Sequence, residues 1–257
     1  MAAAAELIVK GLSGVPVVNA GDDIAGLILN ALSSSGERLQ SGDVIVLAQK
    51  IVSKAEGRRV DLRTITPSPK ALELAKTAAK DPRLVELILS ESNSVIRAIP
   101  GVIVAEHRLG FIMANAGIDQ SNVDSPADHE DVLLLPTNPD ASCKGIRAAL
   151  KERVGVDVAV LIIDSVGRAW RNGTVGLTLG VSGLPSLLDL RGRKDLFGRT
   201  LQSSDLGLAD EVAAAASLMM GQADEGRPIV LMRGVPYGRS DASVQELLRP
   251  RGMDLFR

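Results

Sequence analysis

Four segments of the 257-residue chain carry residue types whose spacing suits phosphate and hard-metal chemistry. Residues 158–171 read Val-Ala-Val-Leu-Ile-Ile-Asp-Ser-Val-Gly-Arg-Ala-Trp-Arg, an apolar run leading into Asp164 and Ser165, then a glycine and two arginines. A carboxylate at the tip of a buried strand is held rigidly, as a phosphate-bound divalent metal requires. The Ser165 hydroxyl is a second oxygen ligand in this reading, and Arg168 and Arg171 suit phosphate oxygens. Residues 114–122, Ala-Asn-Ala-Gly-Ile-Asp-Gln-Ser-Asn, have Asn115 and Gly117 where a tight turn needs positive φ, presenting Asp119 and Asn122 at its tip. Residues 49–58, Gln-Lys-Ile-Val-Ser-Lys-Ala-Glu-Gly-Arg, put Lys50, Lys54 and Arg58 just after an apolar run. Residues 220–228, Met-Gly-Gln-Ala-Asp-Glu-Gly-Arg-Pro, gather two carboxylates, an amide and a guanidinium in one loop.

Taken singly, each segment also has an ordinary structural reading. These are a strand ending in a turn, an Asx-turn loop, a solvated basic turn and a charged surface loop.

The elements that must position these residues follow from periodicity and punctuation. Strands are predicted at 7–10, 43–50, 94–99, 102–106, 111–114, 157–163 and 229–233. Helices are predicted from Asp22-Asp23 to Leu32, over 68–79 with Ser68 capping Pro69, and over 84–90, 142–154, 208–220 and 243–248. Glycine recurs through 173–183, which predicts a strand lying close to another backbone. Gly221 is expected to stop the helix before it. Residues 115–126 read as a polar turn-rich stretch, and the weakest joint is expected at 124–131. The result is a mixed α/β (α+β) fold.

Composition narrows the function classes. Hydrophobic residues make up 46%, enough for a packed core, and a net charge of −2 marks no nucleic-acid or anionic-membrane binder. Aromatics make up only 2%, too few for base-stacking platforms. One cysteine (Cys143) and two histidines (His107, His129) exclude an intrachain disulfide and a four-ligand Cys/His zinc site within one chain. Carboxylates are therefore expected to hold any bound metal, which points to a hard ion such as Mg²⁺ or Mn²⁺. Neither G-x-x-x-x-G-K-[ST] nor G-x-G-x-x-G after a strand occurs, so a bound nucleotide would use neither a P-loop nor a Rossmann turn. The start, Met1-Ala-Ala-Ala-Ala-Glu6, has no basic region before its apolar stretch, and the longest apolar run is far short of a span. A cytoplasmic protein is expected.

Further strings accompany these segments: Leu133-Leu-Leu-Pro136, Asn138-Pro-Asp140, Arg193-Lys-Asp-Leu-Phe-Gly-Arg199 and Ala209-Asp-Glu-Val. Together with Ala48–Arg58, Asn115–Val123, Ile163–Arg171 and Met220-Gly-Gln, their order and spacing resemble the coenzyme F420-0:γ-glutamyl ligases from Gly11 to about Arg233. The resemblance implies a GTP-dependent ligase that adds L-glutamate to the F420-0 precursor, with further glutamates γ-linked. It implies Mg²⁺ or Mn²⁺, two per site, helped by K⁺, and an intertwined homodimer. The whole chain would be one ligase unit of two intertwined subdomains. Ending at Arg257, it would be the stand-alone form, without the C-terminal flavin-binding domain of fused members.

By position, the resemblance assigns nucleotide contacts to Leu12, Ser13, Gly14, Val15, Gln49, Lys50, Lys54 and Asn122. It extends them through Met220, Gly221, Gln222, Ala223, Asp224, Glu225, Gly226 and Arg227. Asp119 and Asp164 would hold one metal, Ser165 and Gln222 a second. Lys54, Arg168 and Arg171 are the candidates for stabilising phosphate. Some relatives carry Thr at Ser165 and an acid at Gln222. Two other readings fit the same residues: a GTP-binding regulator without catalysis, and a ligase for a different acid.

Overall fold

The computed structural model describes residues 5–123 and 129–254. Along the chain run β1 (Ile8–Gly11), α1 (Ile24–Ser34), β2 (Val44–Ala48), α2 (Gln49–Ala55) and β3 (Arg59–Asp61). Then come α3 (Pro69–Ala78), α4 (Pro82–Ser90), β4 (Ser92–Ile99), β5 (Val102–His107), β6 (Ile112–Ala114) and β7 (Asp131–Leu133). The last part holds α5 (Pro139–Val154), β8 (Ala159–Arg168), β9 (Arg171–Ser182), β10 (Leu188–Asp189), β11 (Asp205–Leu206), α6 (Leu208–Met220) and β12 (Ile229–Arg233). The architecture is mixed α and β, as expected.

A five-stranded sheet in the order β1-β12-β2-β8-β9 forms the centre. Its one parallel pair is β2 with β8, in register from Val44↔Ala159 to Ala48↔Ile163; the other pairs are antiparallel. β2, β12 and the first half of β8 are almost wholly apolar, since side chains on both faces are buried there. Each fully buried Leu or Ile there contributes about 1.5–3 kcal/mol. A separate apolar cluster lies among residues 62–134, where α3 and α4 pack on the β4-β5-β6 meander and β3 pairs with β7.

Local chemistry explains the helix ends. Ser68 and Asn138 cap α3 and α5 by accepting from the amides of Ala71 and Ala141, each followed by proline. Asp23 stands at the N-cap of α1 but does not cap it with its side chain; its carboxylate instead takes Arg153 of α5 at 2.5 Å. Gly221, with φ 75°, ends α6 at the expected residue.

Several elements differ from expectation. The strand expected over 43–50 stops at Ala48, and the expected basic turn after it is the helix α2. The Ala48 amide donates to the Pro228 carbonyl at 2.9 Å, the last bond of the sheet there, and the residues beyond have no strand partner. The strand expected to end at Ile163 runs on to Arg168, because the ladder to β9 continues through Asp164↔Leu177 and Ser165↔Gly176. Asp164 is therefore within a hairpin strand and not in a turn. The last expected helix is a 3-10 turn, Val244–Leu247. Three-residue β3 and β7 have no periodicity to read, and the expected joint at 124–131 falls partly on 124–128, outside the described residues.

Candidate active site

The sheet brings the chemical residues to one end. Because β2 and β8 are parallel neighbours, the carboxyl end of β2, Ala48, lies beside Ile163 of β8, so Gln49, Lys50 and Asp164 come together. Open parallel strands place ligand sites at this edge. Antiparallel β12 begins where β2 ends, with Ile229 opposite Leu47, which brings the loop after α6 to the same edge. Between Ile162↔Gly180 and Ile163↔Thr178 the register shifts by one residue, a bulge immediately before Asp164. The result is a cleft of about 1010 Å³.

Asp119 reaches this cleft from the other apolar cluster. Asn115, Ala116 and Gly117 all have positive φ (52°, 52° and 69°), and a side chain on Gly117 would come within 2.9 Å of Leu135. The backbone of Asp119 is then clamped to β7 through Leu133, with bonds of 2.8 and 3.0 Å. Its Oδ1 accepts from the Ser121 amide at 2.7 Å, and its Oδ2 takes the Lys50 ammonium. Lys54, one helical turn on, donates to the Asn122 carbonyl at 2.8 Å, and the Asn122 amide donates to Ala223. One loop thus touches both the helix of lysines and the loop after α6.

The two carboxylates behave differently. Burial pushes Asp164 up to about 6, with Lys50 and the Ser165 amide opposing and the Asp119 charge adding to the rise. Burial also acts on Asp119, but the Lys50 and Ser121 contacts outweigh it and hold the carboxyl below the usual range. Paired groups driven apart in this way mark functional sites.

The third wall is the loop after α6. The backbone N–H groups of Ala223, Glu225 and Gln222 hold the Glu225 carboxyl below the usual carboxylate range, and that carboxylate lies where a Cβ on Gly221 would be. These amides form a cradle for an anion.

The residues fit a hard cation and a phosphorylated ligand. Asp119, Asp164 and Ser165 offer oxygen donors to the cleft, and Gln222 lines it as well. Gln49 is buried, its oxygen held by Ser53 at 2.8 Å, and its Nε2 has no hydrogen-bond partner. A buried unpaired donor bordering a cleft is costly unless something accepts from it.

The structure brings Val15, Gln49, Lys50, Lys54, Asn122, residues 220–227, Asp119, Asp164 and Ser165 to this cleft. It does not bring five others. Leu12 is wholly buried in the core, and Ser13 and Gly14 turn toward Ser35 and Ser34. Arg168 and Arg171 flank the exposed tip of the β8–β9 hairpin, outside the lining. Thr174 and Ser217 also line the cleft; the sequence offered no signal for either, since neither belongs to a motif string. Asp61, His129 and Asp131 have ligand atoms within 4.8 Å of one another but lie outside the cleft, and Arg63 holds both oxygens of Asp61.

Carboxylates, ammonium groups and backbone amides thus surround one cleft, a set of donors whose chemistry suits phosphate and a hard cation. The chain matches the sequence profile of the F420-0:Gamma-glutamyl ligase family over residues 14–234, and it belongs to that family. It is 52% identical to the coenzyme F420:L-glutamate ligase of Methanothermobacter thermautotrophicus, across 96% of this chain and 97% of the relative. It is 42% identical to the enzyme of that name from Methanocaldococcus jannaschii (85% and 86% covered) and 44% to that of Methanopyrus kandleri (93% of each). Among the described residues no helix is long and apolar enough to cross a membrane.

Proposed function

We propose that the protein is a coenzyme F420-0:L-glutamate ligase that uses GTP to activate the acid and forms further γ-glutamyl links. The observation that carries this reading is the meeting of Asp119 and Asp164 with Lys50, Lys54 and the 221–226 cradle in one cleft. Family membership supplies the substrates that such a site would serve.

In this reading a carboxylate oxygen of F420-0 attacks the γ-phosphorus of GTP. The bond to GDP breaks and an acyl phosphate forms. The amine of L-glutamate then attacks the acyl carbon, the amine proton departs and inorganic phosphate leaves. The amides of Gln222, Ala223 and Glu225, exchanging the Glu225 carboxylate for phosphate, and the ammonium of Lys54 neutralise phosphate oxygens, and Gln49 Nε2 donates to an acceptor on the nucleotide. Asp119 and Asp164 would hold one Mg²⁺ or Mn²⁺ and Ser165 and Gln222 a second, with K⁺ assisting. A divalent cation bound there spreads the charge on the transferring phosphoryl group. Holding acyl phosphate and amine together makes their reaction effectively unimolecular. The working form is a cytoplasmic homodimer.

The test is mass spectrometry of F420-0 incubated with L-glutamate, GTP, Mn²⁺, K⁺ and the purified protein. The expected product is heavier by one or more glutamyl units, with GDP released in step. GTP bound without any mass shift would overturn this reading in favour of a regulator or a different acid.

A further inference from the structure

Both oxygens of Asp119 are engaged by the chain itself, Oδ1 by the Ser121 amide and Oδ2 by the Lys50 ammonium. The two partners differ in kind. The amide belongs to a backbone clamped on β7 and stays where it is. The ammonium ends a flexible four-carbon stem and is a compact point charge that can move. An ammonium in contact with Oδ2 and a dication on the same carboxylate repel each other strongly in a partly buried cleft. Asp164, which borders the same cleft, feels the charges of both Lys50 and Asp119. A second ammonium, that of Lys54, sits one turn along α2 on a neutral carbonyl, that of Asn122.

We propose that Lys50 and a divalent cation are alternative partners of Asp119, so that Lys50 is a displaceable counter-cation coupling metal binding to anion binding. Lys50 holds the carboxylate in position. A cation that takes Oδ2 releases the ammonium, which needs a new anionic partner, and the phosphates of a nucleotide are that partner. Metal alone then binds against the cost of an unpaired ammonium, whereas metal with a polyphosphate does not. Lys50 is a positioning residue in this account. The proposal rests on the metal and nucleotide reading above.

Mn²⁺ titrations of the intact protein, followed by electron paramagnetic resonance of the free ion, test it with and without GDP and need no turnover. In the wild type, GDP is expected to tighten Mn²⁺ binding by about tenfold or more, within the usual range of coupling between sites. Lys50→Met is expected to bind Mn²⁺ alone about tenfold more tightly than the wild type, and GDP should add little. Lys50→Gln serves if the methionine variant does not fold. Lys54→Met removes the same charge from the same cleft and should leave binding of Mn²⁺ alone near the wild-type value. Two results overturn the proposal while keeping the metal reading: GDP-coupled Mn²⁺ binding unchanged in Lys50→Met, or an equal gain in Lys54→Met. Failure of every protein to bind Mn²⁺, with GDP or without, overturns the metal reading and the proposal with it.

Discussion

Asp164 shows at the residue scale how function and stability pull apart. Its carboxyl is pushed up to about 6 from 3.8 by burial, so the folded chain holds that proton more tightly than the unfolded chain does. Stability is therefore lost as pH rises from about 4 to about 6, and the loss is complete above 6, amounting to roughly 3 kcal/mol at most. Asp164→Asn is expected to abolish turnover while raising the melting temperature at pH 7.5, and the gain should vanish near pH 4. Thermal denaturation at the two pH values checks it. A lower melting temperature at pH 7.5 would contradict the burial argument. Gly221 is constrained differently. Its φ of 75° and ψ of −174° suit glycine almost alone, and a methyl there would meet the Glu225 carboxylate. Gly221→Ala should cost about 1–3 kcal/mol and remove the thermal shift induced by GDP.

At the scale of elements, β9 carries the clearest demand. It is the edge strand of the main sheet, and its amides at Gly176, Thr178 and Val181 are satisfied from helices, by Ser217, Asp210 and Asp140. Capping by side chains blunts an edge that would otherwise template another strand. For the helices to come so close, side chains must be missing. A Cβ on Gly176 would overlap the Ala213 carbonyl, and one on Gly180 would overlap Pro139. Gly180→Ala is expected to destabilise the protein by about 1–3 kcal/mol, because the helix must back away. Gly145→Ala, in the exposed middle of α5 with open space around it, should instead stabilise by about 0.4–1 kcal/mol. Urea titrations of both variants give the two signs, and a stable Gly180→Ala would show that the close approach is not needed.

The whole molecule depends on a joint between its two apolar clusters. The chain leaves the first after α2 and returns near Leu135. Arg58 ties the two passages together, accepting the Leu134 amide at its own carbonyl and donating its Nε to the Leu135 carbonyl at 2.9 Å. Its guanidinium also meets Glu91, which His107 and Arg108 approach as well. Burial opposes ionisation of Glu91, but His107, Arg58 and Arg108 outweigh it and hold the carboxyl below its usual value. That contribution is present above pH 4.5 and is lost as pH falls through the lowered folded value. Glu91→Ala should therefore destabilise the protein by about 1–3 kcal/mol at neutral pH, since it leaves the partly buried Arg58 guanidinium without its carboxylate, and less in acid. The joint positions Asp119 against Lys50, so the same variant should weaken Mn²⁺ binding in the presence of GDP. For the assembly, light scattering is expected to give the mass of two 27.0 kDa chains; a monomer would remove the homodimer from the proposed function.

Periodicity and punctuation alone determined most elements, because buried strands and capped helices carry local signatures. β12 and α6 lie at the residues expected, and the glycines of 173–183 announced a backbone contact that α5 and α6 then made. The motif residues also fall in four of the segments that line the cleft. Only the tertiary structure decided which of their side chains meet. Asp119 and Lys50 are far apart in sequence and in contact in space, because a parallel pair of strands and a clamp on β7 converge there. The extension of β8 through Asp164 was likewise decided by its partner strand, since a ladder of hydrogen bonds outweighs a local preference for a turn at Gly167. The same long-range geometry carried Leu12, Arg168 and Arg171 away from the cleft lining, which no spacing along the chain expresses.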